Sequence, residues 1–155
     1  MAKKIKQPDV RPTIFVDRNL GSVRIIEAIR NAGYEAIAHD DHFNRKTADT
    51  DWLAAVGKLG WVVVTADHNI NRNVAELEAL VAGEVHAFII KIKNANGNSL
   101  AAAIISALPR ISQIVNRTSP PSVSIVDAAG RISALQGYDQ LVHRIQERKR
   151  RLDRS

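Results

Sequence analysis

The chain has 155 residues with a net charge of +6, no cysteine, 45% hydrophobic residues and 25% charged residues. This composition is typical of one compact globular domain, and the lack of cysteine excludes disulfide frameworks and thiolate zinc sites and favours a reducing compartment such as the cytoplasm. The longest near-apolar runs, residues 61–66 and 100–108, are much shorter than the roughly 20 residues of a membrane-spanning helix, so we expect no membrane association and no secretory signal.

The first predicted elements are a strand, a helix and a second strand. Residues 13–16 are β-branched or aromatic and predict a strand that ends at Asp17. Apolar residues at helical spacing follow, and we expect Asn19 to be the N-cap of this helix and Gly33 to end it. Residues 34–38 then predict the second strand.

A polar loop leads to a short helix and a buried strand. We expect Asp49 or Thr50 to cap the helix and Gly57 or Gly60 to end it. Residues 61–65 are apolar without polar alternation. This pattern is typical of a central parallel strand that helices cover on both faces.

The rest of the chain continues the alternation of helices and strands. We predict a helix ending near residue 82, strands over 85–90 and 123–126, a long helix over about 100–115, an edge hairpin over 130–135 and a terminal helix over 138–150. The whole pattern predicts an α/β fold: a three-layer sandwich in which a mainly parallel sheet of four to five strands is flanked by helices.

The positive charge is concentrated at the two ends of the chain. Residues 1–11 carry a net charge of +3 and residues 140–155 a net charge of +4, so the remainder sums to −1. Basic ends suit a polyanion such as RNA, and they also suit solvated tails. We therefore predict a basic tail over 1–12, a central domain over 13–135, and a basic helix and tail over 136–155.

Aspartates collect where the predicted strands stop. Two strands end at Asp17 and Asp67, the strand between them runs into residues 39–41, and Asp49 and Asp51 open a helix near the same edge. Ligands of such sheets bind beyond the carboxyl ends of the strands. Each acid alone also fits a cap or a turn, but their convergence favours a site for Mg²⁺ or Mn²⁺ and phosphodiester hydrolysis.

Two other kinds of site stay open at this point. Three histidines lie near the same edge and could bind zinc with an aspartate: His39, His42 and His68. Asp40 and Asp41 could also belong to a phosphate-accepting receiver-like domain, for which Lys91 or Lys93 would supply the partner lysine.

Four stretches, in their order and spacing, resemble the PIN-like domain of a branch of VapC-type toxins: residues 15–21, 39–43, 49–53 and 60–67. The similarity extends over about residues 13–127. It implies a PIN-like fold and a metal-dependent endoribonuclease, the toxin of a type II toxin–antitoxin system that forms a homodimer and is neutralised by a cognate antitoxin. The alternative is a catalytically inactive PIN-like module that binds nucleic acid or a partner.

The resemblance also implies roles for individual residues. It makes four acids the ligands of Mg²⁺ or Mn²⁺: Asp17, Asp49, Asp51 and Asp67. It makes Asp41, in preference to Asp40, the acid that orients water, so that the catalytic set is Asp17, Asp41, Asp49 and Asp67. The expected contacts to RNA phosphates are Arg18, Asn71 and Arg72.

Overall fold

The computed structural model of the protein describes residues 10–20 and 23–154. Its centre is a six-stranded sheet in the order β2-β1-β3-β4-β5-β6. The strands are β1 (Ile14–Val16), β2 (Ala36–Ala38), β3 (Val62–Thr65), β4 (His86–Ile90), β5 (Ser122–Val126) and β6 (Ile132–Gln136). The α/β class and the mainly parallel sheet are confirmed.

The sheet has one strand more than expected, at its edge. β1 to β5 run parallel, whereas β6 runs antiparallel beside β5. The prediction of four to five strands was wrong because the segment over 130–135, predicted as an edge hairpin, forms a sixth strand of the sheet; this strand has no fully buried residue. A strand without a buried face gives little hydrophobic signal in the sequence.

Helices cover both faces of the sheet and complete the three layers. They are α1 (Val23–Asn31), α2 (His39–His42), α3 (Asp49–Leu59), α4 (Val74–Ala82), α5 (Gly97–Arg117) and α6 (Tyr138–Asp153). The helices α1 and α5 pack with one apolar cluster, and α3, α4 and α6 pack with a second cluster on the opposite face. β3 contributes Val62 and Val64 to the first cluster and Val63 to the second, which confirms it as a central strand buried on both sides.

Two helices are followed by the glycines predicted to end them, but two predicted N-caps are not found in the structure. Gly33 and Gly60 follow α1 and α3 with φ of +90° and +70°, a conformation that glycine adopts without strain. Asn19 lies inside a 3₁₀ turn (Arg18–Leu20), and its Oδ1 atom accepts the Ala66 N–H at 3.2 Å instead of capping α1. Ala48, with no side-chain cap, occupies the N-cap of α3.

The structure describes most of the C-terminal basic end of the chain and little of the N-terminal one. The N-terminal tail up to residue 9 lies outside the described residues. At the other end, α6 is packed against the domain, with Leu141 and Ile145 in the second apolar cluster. Over residues 10–20 and 23–154, no helix combines the length and the apolar character needed to cross a membrane.

Candidate active site

The aspartates that end β1 and β3 lie at the point where the strand order reverses. β1 has β2 on one side and β3 on the other, so the chain connections leave in opposite directions and a crevice opens between them. A cavity of about 320 Å³ occupies this crevice. Its lining consists of Asp17, Arg18, Asn19, His39, Arg45, Thr47, Asp49 and Asp67.

Asp17 is buried and held by two hydrogen bonds. Its Oδ1 atom accepts the Arg18 N–H at 2.6 Å, and its Oδ2 atom accepts the Thr65 hydroxyl at 2.7 Å. Burial raises the pKa of Asp17, the two hydrogen bonds oppose this, and the negative charges of Asp49 and Asp67 raise the pKa further. The carboxylate is therefore fixed in place, and added positive charge would stabilise it.

The hydroxyl group of Thr65 links Asp17 to Asp67 through hydrogen bonds. Its hydroxyl oxygen, which donates to Asp17, also accepts the N–H of Asp67 at 2.9 Å. One oxygen of Asp67, Oδ1, accepts the Asn69 N–H at 2.9 Å and so caps the 3₁₀ turn His68–Asn71. Asp67 thus serves the cap that its sequence position suggests and also lines the cavity.

Asp49 reaches the cavity from the first turn of α3. Its Oδ1 atom accepts the indole N–H of Trp52 at 2.8 Å, and Trp52 is only 1% exposed. A hydrogen bond to a charged group contributes roughly 1.5–3 kcal/mol. The buried indole therefore fixes the direction of this carboxylate, and the positive end of the helix dipole favours its charge.

Glu76 is a site acid that the sequence interpretation missed. It lies on the first turn of α4 and is not part of the cavity lining. Burial, a hydrogen bond with Asp49 and the charges of Asp49, Asp67 and Asp17 raise its pKa to about 7. Its Oε2 atom is buried without a hydrogen-bond partner. Asn73 and Glu76 have the spacing of a capping box, so the sequence offered an ordinary structural role for this residue.

Basic groups lie at the mouth of the cavity. Arg18 donates to the carbonyl oxygen of Arg45 at 3.0 Å, and Asp40 pairs with Arg18 at 3.5 Å and with Arg45 at 3.7 Å. Asp40 also contacts the buried His39 ring at 2.8 Å. Asp40 thus holds two guanidinium groups beside the acids, and Arg45, in a loop, was not singled out from the sequence.

The structure does not bring every predicted site residue to this cavity. Asp41 and Asp51 are exposed and do not line it, and Arg72 lines a different cavity. The side chain of Asn71 lies outside what the structure describes.

Most residues of the two rival sites do not line the cavity either. The lysines proposed for a receiver-like site, Lys91 and Lys93, are exposed and are not part of its lining. Of the three histidines, His39 alone lines it, while His42 packs edge-on against Trp61 at 4.9 Å.

The donor set suits a hard divalent cation. Asp17, Asp49 and Asp67 offer oxygen ligands, and the partnerless Oε2 atom of Glu76 lies in a cluster of like charges that a cation would relieve. Among the described residues, no three carboxylate or imidazole groups lie close enough to form a finished ligand set. Binding would therefore require the carboxylates to move inwards.

Comparison with known proteins identifies the family. The family model described as "PIN like domain" matches residues 12–92, just over half of the chain. The chain belongs to the PIN-like domain family. It is also 28% identical over 111 residues to a Mycobacterium tuberculosis protein named "Putative ribonuclease VapC45", covering 69% of this chain and 80% of that protein. No solved structure matches the chain significantly.

The matched segment of this PIN-like domain contains the acids of the cavity. Asp17, Asp49 and Asp67 of the lining fall within residues 12–92, as does Glu76, which contacts Asp49. The helix α6 lies outside that segment, so its basic face is a feature of this chain that the family match does not cover.

Proposed function

We propose that this PIN-like domain is a metal-dependent endoribonuclease that hydrolyses RNA phosphodiester bonds at the acid-lined cavity. The observation that carries the proposal is the convergence of Asp17, Asp49 and Asp67, from three separate elements, on one cavity at the strand-order reversal. The kinship with a protein named as a ribonuclease supports the choice of RNA.

In this proposal three carboxylates hold Mg²⁺ or Mn²⁺, and Glu76 positions one of them. Asp17, Asp49 and Asp67 are the proposed ligands, and Glu76 supports Asp49 through the hydrogen bond between them. When bound, the cation supplies Lewis acidity, lowering the pKa of water and stabilising the departing oxygen. Asp41 and Asp51 are left out because they do not line the cavity.

The chain's own residues orient the substrate. The guanidinium groups of Arg18 and Arg45 lie at the mouth of the cavity, where planar paired N–H groups suit phosphate oxygens. The hydrogen bonds from Thr65 and Trp52 orient the carboxylates of Asp17 and Asp49, so the inward movement that cation binding requires starts from side chains that already line the cavity. Such preorganisation reduces the reorganisation that the reaction would otherwise require.

We further propose that the protein is the toxin of a type II toxin–antitoxin pair in the cytoplasm. The relative's VapC name and the resemblance of the sequence to VapC-type toxins support a cognate antitoxin and a homodimer as its partners.

An RNA cleavage assay with Mg²⁺ or Mn²⁺ tests the proposed activity. We expect Asp17→Asn and Asp67→Asn to lose at least roughly a hundredfold in rate, because loss of a few kcal/mol of transition-state stabilisation has that effect. EDTA should stop the wild type. Asp51→Asn, which removes the same charge from the exposed side of α3, is the matched control and should retain activity.

Two results would contradict the proposal. Cleavage that persists in EDTA and in both aspartate variants would remove the acids from the mechanism. Binding of RNA without cleavage under any divalent cation would instead support the catalytically inactive binding module.

A further inference from the structure

A second cavity lies where α4 begins and α6 ends. Its volume is about 530 Å³, and its lining consists of Arg72, Asn73, Val74, Ala75, Arg148, Arg151 and Leu152. Arg148 and Arg151 are three residues apart on α6, so they lie on the same face of that helix. Arg72, which directly follows the 3₁₀ turn after Asp67, faces them from the other side.

The three arginines are not neutralised by carboxylates. None of the ion pairs formed within residues 10–20 and 23–154 involves Arg72, Arg148 or Arg151. Of the acids nearby on α6 and α4, Glu78 pairs with Lys149 at 3.3 Å, and Glu147 lies 3.7 Å from Nε2 of His143. The cavity therefore carries a concentrated positive charge.

The position of α6 is held by packing that does not depend on these arginines. Leu141 and Ile145 are buried in the second apolar cluster, and the Lys149–Glu78 pair joins α6 to α4. Burial lowers the pKa of Arg144, and the charge of the nearby Arg148 lowers it further. Cations crowded on a well-packed helix are typical of an anion-binding surface.

We propose that this cavity binds phosphates of the RNA strand that flank the bond cleaved at the acid site. The inference rests on the proposed ribonuclease function and extends its substrate site onto α6. The guanidinium group is the side chain best suited to phosphate, because its paired N–H groups match two phosphate oxygens.

The 3₁₀ turn His68–Asn71 connects the two cavities, which favours a continuous strand over a separate partner. Asp67, which lines the acid cavity, is the N-cap of this turn, and Arg72, which lines the arginine cavity, is its C-cap. At about 2.0 Å of rise per residue in a 3₁₀ turn, Asp67 and Arg72 are separated by roughly 10 Å along the axis of the turn. One polyanion with a phosphate at the acids can therefore also reach the arginines.

Binding of a fluorescent oligouridylate RNA, followed by anisotropy at several salt concentrations, tests the proposal. The measurements use the full chain with Asp17→Asn and EDTA, so that cleavage does not interfere. We expect Arg148→Gln/Arg151→Gln to weaken binding by about tenfold and to reduce the slope of log affinity against log salt by about 1.4, since each single-strand phosphate contributes about 0.7.

The matched control removes two charges elsewhere. Arg110→Gln/Arg117→Gln on α5 should change the affinity by less than about twofold, because these exposed charges are distant and screened. Equal effects of the two double variants would overturn the proposal, as would wild-type binding by Arg148→Gln/Arg151→Gln. Melting temperatures check that every variant is folded.

Two further outcomes separate this proposal from its alternatives. If Arg148→Gln/Arg151→Gln loses binding to polyglutamate but keeps RNA binding, the cavity belongs to an acidic protein partner and the proposal is overturned. If RNA binding depends on the arginines while Asp17→Asn still cleaves like the wild type, the cavity is supported and the proposed catalytic acids fail.

Discussion

Burial and the neighbouring carboxylates both raise the pKa of Glu76. Its pKa rises from 4.5 to about 7, and the pKa of Asp17 is raised for the same first reason, burial. An acid whose pKa is raised by folding binds more protons in the folded state than in the unfolded state. Its contribution to stability is therefore complete below about pH 4.5 and is lost as the pH rises through about 7.

Glu76→Gln should be more stable than the wild type at high pH. The uncharged amide removes the like-charge repulsion, so we expect the free energy of unfolding at pH 8 to rise by up to about 1 kcal/mol, with partial exposure screening the effect. The variant should also lose most of the fall in stability between pH 5 and 8 that the wild type shows. Urea unfolding at several pH values, without divalent cations, measures both.

Comparison with the wild type is necessary because another residue titrates in the opposite sense. Burial lowers the pKa of His86, so its contribution makes the folded state less stable as the pH falls. This contribution is common to both proteins and cancels in their difference. Identical pH profiles for the wild type and Glu76→Gln would contradict the account of Glu76.

Single acids were predictable from the sequence only where a strand determined their position. Asp17 and Asp67 follow buried strands, and the direction of a parallel strand sends both to one edge. The choice between Asp49 and Asp51 was not predictable, because residues two apart on a helix point to different sides. Glu76 could not be found because its contact with Asp49 depends on how two helices pack.

At the scale of elements, the close packing of α3 and α4 brings Asp49 and Glu76 together. A Cβ atom on Gly57 would collide with the carbonyl oxygen of Gly83, which directly follows α4. The absence of a side chain at Gly57 thus sets how closely the two helices approach. Their spacing in turn determines the arrangement of the acid site.

Gly57→Ala should push α3 away from α4. We expect a loss of about 1–3 kcal/mol in the free energy of unfolding, as for overpacked cores, because backbone atoms must move. RNA cleavage should fall as well, since Asp49 moves with α3. Thermal unfolding and the cleavage assay measure the two effects.

Gly97→Ala is the control for this change. A Cβ atom there would lie 3.6 Å from Nη1 of Arg24, an ordinary contact. Its stability should therefore equal or slightly exceed that of the wild type, since alanine favours a helix more than glycine. If Gly57→Ala behaved in the same way as Gly97→Ala, the helix spacing would not be set by this contact.

Local sequence patterns predicted most of the helices and strands, and the exceptions have physical causes. The run 62–65 is buried on both faces, so its sequence identified β3 directly. The N-caps were less predictable, because Asn19 and Asp49 were judged as caps from residue type alone. In the structure the side-chain oxygen of Asn19 accepts a hydrogen bond from Ala66, which is distant along the chain. The side-chain oxygen of Asp49 accepts one from Trp52, on the next helical turn.

At the scale of the whole molecule, the fold separates negative charge from positive charge. The acids lie at the crevice between β1 and β3, whereas α6 presents Arg148 and Arg151 at a neighbouring cavity. The sequence predicted a near-neutral body with basic ends, but it did not predict that α6 would bring its charges to Arg72. That placement results from the burial of Leu141 and Ile145.

The central claim is that carboxylates from separate elements share one divalent cation, and calorimetric titration with Mn²⁺ tests it most directly. The account predicts that the wild type binds Mn²⁺, that Asp67→Asn binds at least about tenfold more weakly, and that Asp51→Asn binds like the wild type. A wild type that binds no Mn²⁺, or an equal loss of affinity in Asp51→Asn and Asp67→Asn, would contradict it.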